Sequence, residues 1–303
     1  MEENKELSGV LLIDKGEGMT SHDVVSRVRR LYHTRRVGHT GTLDPLATGV
    51  LVILIGRAAK AAEYLAVHDK TYEATLRLGI TTDTEDVTGK VLTSAPVTAS
   101  ADEVIAAAKS FVGAYMQTPP MYSALKVNGQ KLVDLARRGI EVEREARPVT
   151  IHALDCTPLA NGDYTLRVSC SSGTYIRTLC ADIGARLGCG GAMATLRRVE
   201  TGGFSLADCH TLDALDQMDD DARAALLVPT EALFATLPEI RLPAFYEKLA
   251  RSGCEIYQQK IGTDFAEGTR VRLSSTEGRF FALGEIRTFE NGSAAKPIKA
   301  FDI

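Results

Sequence analysis

Gly38 to Leu51 reads GHTGTLDPLATGVL, and the rest of the chain is organised around it. The stretch holds one carboxylate, Asp44, between a glycine-rich approach and Pro45, which removes the next backbone donor. A residue before proline is pushed away from the helical region, so Asp44 is expected extended or in a turn. Gly38, Gly41 and Gly49 permit conformations or close approaches that a Cβ resists. The run Val50 to Ile55, VLVILI, then predicts a fully buried strand. An acid on a stiff turn feeding a core strand is held by the scaffold, as a reacting group must be. Taken alone, the same stretch also reads as an ordinary polar loop before a strand.

The 303 residues suffice for a large core and a second, smaller domain. An apolar fraction of 45% and a charged fraction of 24% are those of a globular protein in water. No run approaches the roughly 18 apolar residues of a membrane span, and MEENKELSG at the start lacks a basic, apolar leader. A cytoplasmic protein without a membrane partner is the expectation. The six cysteines are scattered with no C-x-x-C pair, which predicts free thiols and no metal site. Charge is uneven. Residues 202–239 hold eight acids against Arg223 alone, a net −7, which leaves +3 on the remainder. Arg27, Arg29, Arg30, Arg35 and Arg36 cluster just before the central loop, either as a basic footprint for nucleic acid or as a solvated helix face.

In chain order, Gly9 to Asp14 predicts a strand ending at Lys15. Thr20 to Asp23 matches a capping box, and Val24, Val25, Val28, Leu31 and Tyr32 then recur on one helix face. Arg57 to Ala66 reads as a helix, and Thr71 to Leu78 alternates as a strand. Thr81 to Gly89 is a polar loop whose acids do not match an EF-hand spacing. Ala101 to Phe111 is expected helical, Gln117 to Lys126 irregular, and Lys131 to Arg138 a short basic helix. Val149 to Cys156 and Tyr164 to Cys170 read as strands, and Ser171 to Cys180 as a glycine turn opening a helix toward Leu187. Ala192 to Val199 is a further strand. By composition, the acidic stretch includes a linker between about Phe204 and Pro238. The end of the chain predicts a small β-rich module, with strands over Thr269 to Leu273 and Arg279 to Arg287.

GHTGTLDPLATGVL, KTYEA (Lys70 to Ala74), SGTYIRTL (Ser172 to Leu179) and LRR (Leu196 to Arg198) stand in the order and spacing of the tRNA pseudouridine synthases of the TruB family, which the chain resembles. PMYSALKVNGQKLVDLARRGIEV (Pro120 to Val142) is also similar, and the likeness spans roughly Gly9 to Val199. The resemblance implies an α+β fold with a mixed, largely antiparallel sheet flanked by helices, and a small C-terminal PUA-like RNA-binding domain. The corresponding division is a catalytic domain over residues 1–238 and the PUA-like domain over 239–303. It implies isomerisation of uridine to pseudouridine at position 55, in the T loop of tRNA, with base flipping and neither cofactor nor guide RNA, by a monomer.

Residue by residue, the resemblance makes Asp44 the catalytic aspartate. Tyr72 becomes the tyrosine that stacks on the target base and serves as the favoured general base, and Arg177 the arginine paired with the aspartate. Tyr175 and Leu196 would line the pocket, and His39 would enter the RNA loop where the flipped nucleotide was. Lys15 and Lys126 match further positions near the substrate. Without the resemblance, Tyr72, Tyr175 and Leu196 read as core side chains and His39 as a loop histidine.

The chemistry fits these residue types. A carboxylate can attack C1′ or C6, or support glycosidic cleavage with loss of a proton from C2′. A closed pocket favours protonation of an isolated acid, and an arginine fork opposes this better than a lysine. A tyrosine with an ordinary pKa near 10 is a weak base at neutrality, which favours stacking over proton transfer for Tyr72.

Overall fold

The computed structural model describes residues 7–65 and 69–301, so Ala66 and Ile303, each the end of an expected element, lie outside the described residues. The first half runs β1 (Gly9–Lys15), α1 (Ser21–Leu31), β2 (Val37–Thr40), β3 (Thr48–Ile55), β4 (Lys70–Leu78), β5 (Ile80–Thr82), β6 (Val91–Ser94), α2 (Ala101–Lys109) and β7 (Gly113–Gln117). Next come β8 (Lys126–Val127), β9 (Gln130–Lys131), α3 (Leu132–Ala136), β10 (Arg147–Pro158), β11 (Tyr164–Cys170), α4 (Ile176–Arg186), β12 (Gly191–Thr201) and β13 (Phe204–Ser205). Two short helices follow, α5 (Leu212–Asp216) and α6 (Asp220–Ala225). The chain ends with β14 (Glu239–Leu242), α7 (Ala244–Arg251), β15 (Ile256–Tyr257), α8 (Gln258–Ile261), β16 (Arg270–Ser275), β17 (Phe280–Phe289) and β18 (Gly292–Ala300).

The main sheet has the order β1-β3-β12-β4-β11-β10-β7, with β2 also on β3 and β13 on β12. Its pairs are antiparallel except β3 with β12. The sheet is therefore mixed and largely antiparallel, as expected. β1 covers one edge of β3 for its whole length. The other edge is shared: β12 pairs only at Thr48 and Gly49, and β2 pairs from Val52 to Ile55. Between these partners the ladder is open, and Arg198 fills it by donating from Nε to the Val50 carbonyl at 2.7 Å.

β3 is apolar throughout because both of its faces are covered. Leu51, Ile53 and Ile55 join a core with Val24, Val25 and Val28 of α1 and Leu179 and Ile183 of α4. Val50, Val52 and Leu54 join a second core with Leu233, Phe234, Leu283 and Phe301. Each such side chain removes apolar surface worth about 1.5–3 kcal/mol. Thr20 caps α1 in the expected box with Asp23. Four of the cysteines (Cys156, Cys170, Cys180, Cys189) are buried free thiols, and Cys254 is exposed.

One expectation is refined and one is corrected. The helix expected after β3 is present and is a 3₁₀ helix, Gly56–Tyr64. Its tighter winding eclipses residues three apart, and Ala58 and Ala61 are both fully buried. The acidic stretch is no linker. His210 donates to the Leu12 carbonyl at 2.9 Å, Val10 and Val228 exchange backbone hydrogen bonds, and Leu212 and Leu215 enter the main core. The arginine run is partly spent on that stretch, since Arg27 pairs with Asp216. The strand β7 at the sheet edge had no counterpart in the sequence reading.

The C-terminal strands form a separate sheet, β14-β16-β17-β18-β15, with its own core around Ile240, Val271, Leu273, Phe281 and Ile286. This module is fastened to the body. Leu283 and Phe301 share the second core, Lys299 pairs with Glu63, Arg272 pairs with Glu231, and the Arg270 guanidinium lies 5.5 Å from the Tyr64 ring centre. Among the described residues no helix is long and apolar enough to cross a membrane.

Of the three glycines in the opening stretch, Gly49 is the most constrained. It sits at φ +102°, and a Cβ there would lie 2.1 Å from the Arg198 carbonyl oxygen, in the backbone of its parallel partner. Gly49→Ala is therefore expected to force β3 away from β12, at about 3–5 kcal/mol. Thermal unfolding should show a fall in midpoint on the order of 10 °C. A midpoint within a degree of the parent would mean that the two strands can separate freely.

Candidate active site

Asp44 lies in the loop before β3, outside any regular element, and two buried side chains hold that loop in place. Ser21, in the first turn of α1, accepts from the Leu43 N–H at 2.9 Å and donates to the Leu43 carbonyl at 3.1 Å. Lys15, fully buried at the end of β1, donates from Nζ to the carbonyls of Gly16 (2.9 Å), Met19 (2.7 Å) and Pro45 (3.4 Å). Burial lowers its pKa to about 8, against the pull of Asp44, which raises it. The residues on either side of Asp44 are thus fixed by the scaffold, which pre-positions the carboxylate.

Arg177, one residue into α4, is only 5% exposed and meets that carboxylate side by side. Nε is 3.0 Å from Oδ2, and the terminal nitrogen that also reaches Tyr122 is 3.5 Å from Oδ1. Its remaining donors hold the carbonyls of Thr84 at 2.9 Å and Tyr122 at 2.8 Å. A planar guanidinium with donors at fixed angles can serve three loops at once, which an ammonium cannot. The expected pair is present, and the guanidinium also ties down the 81–89 and 117–126 segments.

Tyr72 is the third residue of β4, 7% exposed, with its ring on a cavity of about 470 Å³. Asp44, Tyr122, Tyr175, Arg177, Leu196 and Arg198 share that wall. Burial pushes the Tyr72 phenol above its usual pKa, while the Arg198 guanidinium beside it pulls it down. The phenol is held neutral, so an aromatic face is what it presents. Tyr175 stands immediately before α4, where Gln117 grips its backbone from both sides (Oε1 accepts its N–H at 2.8 Å, Nε2 donates to its carbonyl at 3.0 Å).

Asp44, Tyr72, Arg177, Tyr175 and Leu196 therefore come together around one cavity. The other candidates stand apart. His39 is on β2, off the cavity wall; burial lowers its pKa, with Arg198 and His22 adding to the effect. Lys126 is exposed on β8. Lys15 supports the loop from beneath rather than facing the cavity.

Arg198 was missed as a site residue. It is 1% exposed, donates to the carbonyls of Val50 and Gly41 (2.7 and 3.0 Å), and touches Tyr72. The signal was available: strand alternation puts residue 198 on the same face as Leu196. Lys70 also lines the cavity, its pKa lowered by burial and by Arg198. Among the described residues no group of three or more His, Cys, Asp or Glu side chains could hold a metal ion. What the arrangement offers is an oriented carboxylate, a flat aromatic wall and a cavity large enough for a nucleobase.

Two family profiles match the chain: TruB family pseudouridylate synthase (N terminal domain) over residues 29–176, and the tRNA pseudouridylate synthase B C-terminal domain over residues 177–235. Both end before the C-terminal sheet. Proteins named tRNA pseudouridine synthase B are similar along nearly the whole chain. That of Aromatoleum aromaticum is 44% identical, covering 92% of this chain and 89% of its own length. That of Burkholderia mallei is 46% identical over 94% of each. In a crystal structure of a Cbf5-Nop10-Gar1 complex, the matching chain has a TM-score of 0.74 at 25% identity, over 97% of this chain and 84% of its own. A structure of an H/ACA RNP bound to a substrate RNA containing 2′-deoxyuridine gives 0.73 at 23% identity, over 97% and 85%, a likeness of fold.

Proposed function

The chain belongs to the TruB family of pseudouridylate synthases, and on that premise we propose that it isomerises the uridine at position 55, in the T loop of tRNA, with Asp44 as the essential group. The observation that carries this reading is the Asp44–Arg177 fork, set in a nucleobase-sized cavity with the ring of Tyr72 on its wall. The reaction breaks the N1–C1′ bond, turns the uracil and joins C1′ to C5. C5 loses a proton and N1 gains one, so atoms and electrons balance without an oxidant, reductant or cofactor. Each route open to the chemistry, attack at C1′, attack at C6 or loss of a C2′ proton, begins with an ionised Asp44. Tyr72 stacks on the base, Arg177 aims the carboxylate, and Tyr175, Leu196 and Arg198 shape the pocket. The target nucleotide leaves its stack at roughly a few kcal/mol, and His39 fills the gap it leaves.

The C-terminal sheet acts as a PUA-like RNA-binding domain that holds the tRNA beside the catalytic domain. The relatives are named tRNA pseudouridine synthase B, which supports tRNA as the substrate; in this reading the protein acts in the cytoplasm as a monomer on free tRNA, without guide RNA. The test is incubation of the purified protein with an unmodified tRNA transcript and nothing else, followed by base-resolution mapping. Pseudouridine at position 55 is the expected result. No isomer there, or isomer only when a guide RNA is added, would overturn the proposal.

A further inference from the structure

Among the described residues, one polar side chain on the cavity wall is buried without a partner. Ser123 is 4% exposed, yet its Oγ has no hydrogen-bond partner among the described residues. A buried hydroxyl without a partner is a cost that folded proteins seldom leave standing. Ser123 lies on the wall shared by Asp44, Tyr122, Tyr175 and Arg177. Its place is fixed by its neighbours: its N–H donates to the Met121 carbonyl at 2.9 Å, and its carbonyl accepts from the Val133 N–H at 3.0 Å. The residue before it, Tyr122, gives its carbonyl to Arg177 at 2.8 Å. Burial raises the pKa of the Tyr175 phenol, and the Ser123 hydroxyl lies near enough to oppose that rise, without closing a hydrogen bond of its own.

We propose that the Ser123 hydroxyl hydrogen-bonds a polar atom on the edge of the uracil ring of the extruded uridine, an assignment that rests on the function proposed above. Depth favours the ring over the sugar. The Asp44 side chain is 37% exposed, whereas Ser123 is shut away. A flipped nucleotide enters base first and leaves its sugar and phosphate toward solvent. Ser123 shares this wall with Tyr122, Val133 and Tyr175, aromatic and aliphatic surfaces that suit a flat heterocycle. The ring edge offers the acceptors O2 and O4 and the donor N3–H, and a hydroxyl can serve either kind.

The test is Ser123→Ala, which removes the hydroxyl without adding bulk. With tRNA, kcat/KM should fall about 10-fold, the loss of one buried hydrogen bond. The unfolding midpoint should hold or rise, since an unpartnered group has been removed. In the Asp44→Asn background, binding to a T-arm stem-loop carrying the target uridine should weaken about 10-fold, and binding to the same stem-loop with an abasic site there should be unchanged. An equal loss on both RNAs, no loss on either, or a loss accompanied by a lower midpoint would overturn the assignment. Failure of the parent protein to form pseudouridine would defeat the underlying function instead, and the two outcomes are separate measurements.

Discussion

Asp44→Asn is expected to abolish turnover, by at least about 10⁴-fold, while tRNA binding changes by no more than several-fold. The amide keeps the shape of the side chain and an oxygen that accepts from Arg177 Nε, but it loses the charge from which every route to the product begins. The loop should stay in place, because Ser21 and Lys15 hold the backbone at Leu43 and Pro45 rather than the carboxylate itself. Arg177 also keeps the Thr84 and Tyr122 carbonyls. Single-turnover conversion of labelled tRNA, paired with filter binding, separates the two effects. Parental rates would remove Asp44 from the mechanism.

Arg177→Lys should lower the single-turnover rate by about 100-fold or more, although the charge is conserved. One ammonium cannot stay side-on to Asp44 and also hold two carbonyls from separate loops. Leaving those carbonyls without donors at a site 5% exposed should also cost about 1–3 kcal/mol of stability. The variant is therefore expected to lose rate and melting temperature together, with tRNA affinity less affected. A rate near that of the parent would show that any nearby cation suffices and that the fork has no role in aiming the acid.

Much of this site was legible because it is local. GHTGTLDPLATGVL announces a turn and a core strand, Thr20 to Asp23 announces a helix start, and the alternation in β4 puts Tyr72 on an inward face. What was hidden depends on distant partners. The acidic stretch looked like a linker because charge dominates its composition, yet Leu212 and Leu215 reach the core while the acids between and around them stay at the surface. Lys15 reads as a surface cation until three backbone carbonyls are seen around its ammonium. Arg198 reads as a second basic residue in LRR, and only the gap in the β3 ladder explains why it is buried. His39 sits in the same motif as Asp44, but strand pairing with Ile53 takes it away from the cavity wall.

The parallel seam between β3 and β12 also bears on how the protein assembles. Thr48 and Gly49 meet Arg197 and Arg198 across some 150 intervening positions, and closing so long a loop is entropically unfavourable until many other contacts are in place. Neither the hairpin-like pairing of β1 with β3 nor that of β10 with β11 requires this closure. The cavity is thus completed only when the distal half of the polypeptide returns to its beginning, so regained catalysis is a late clock for renaturation.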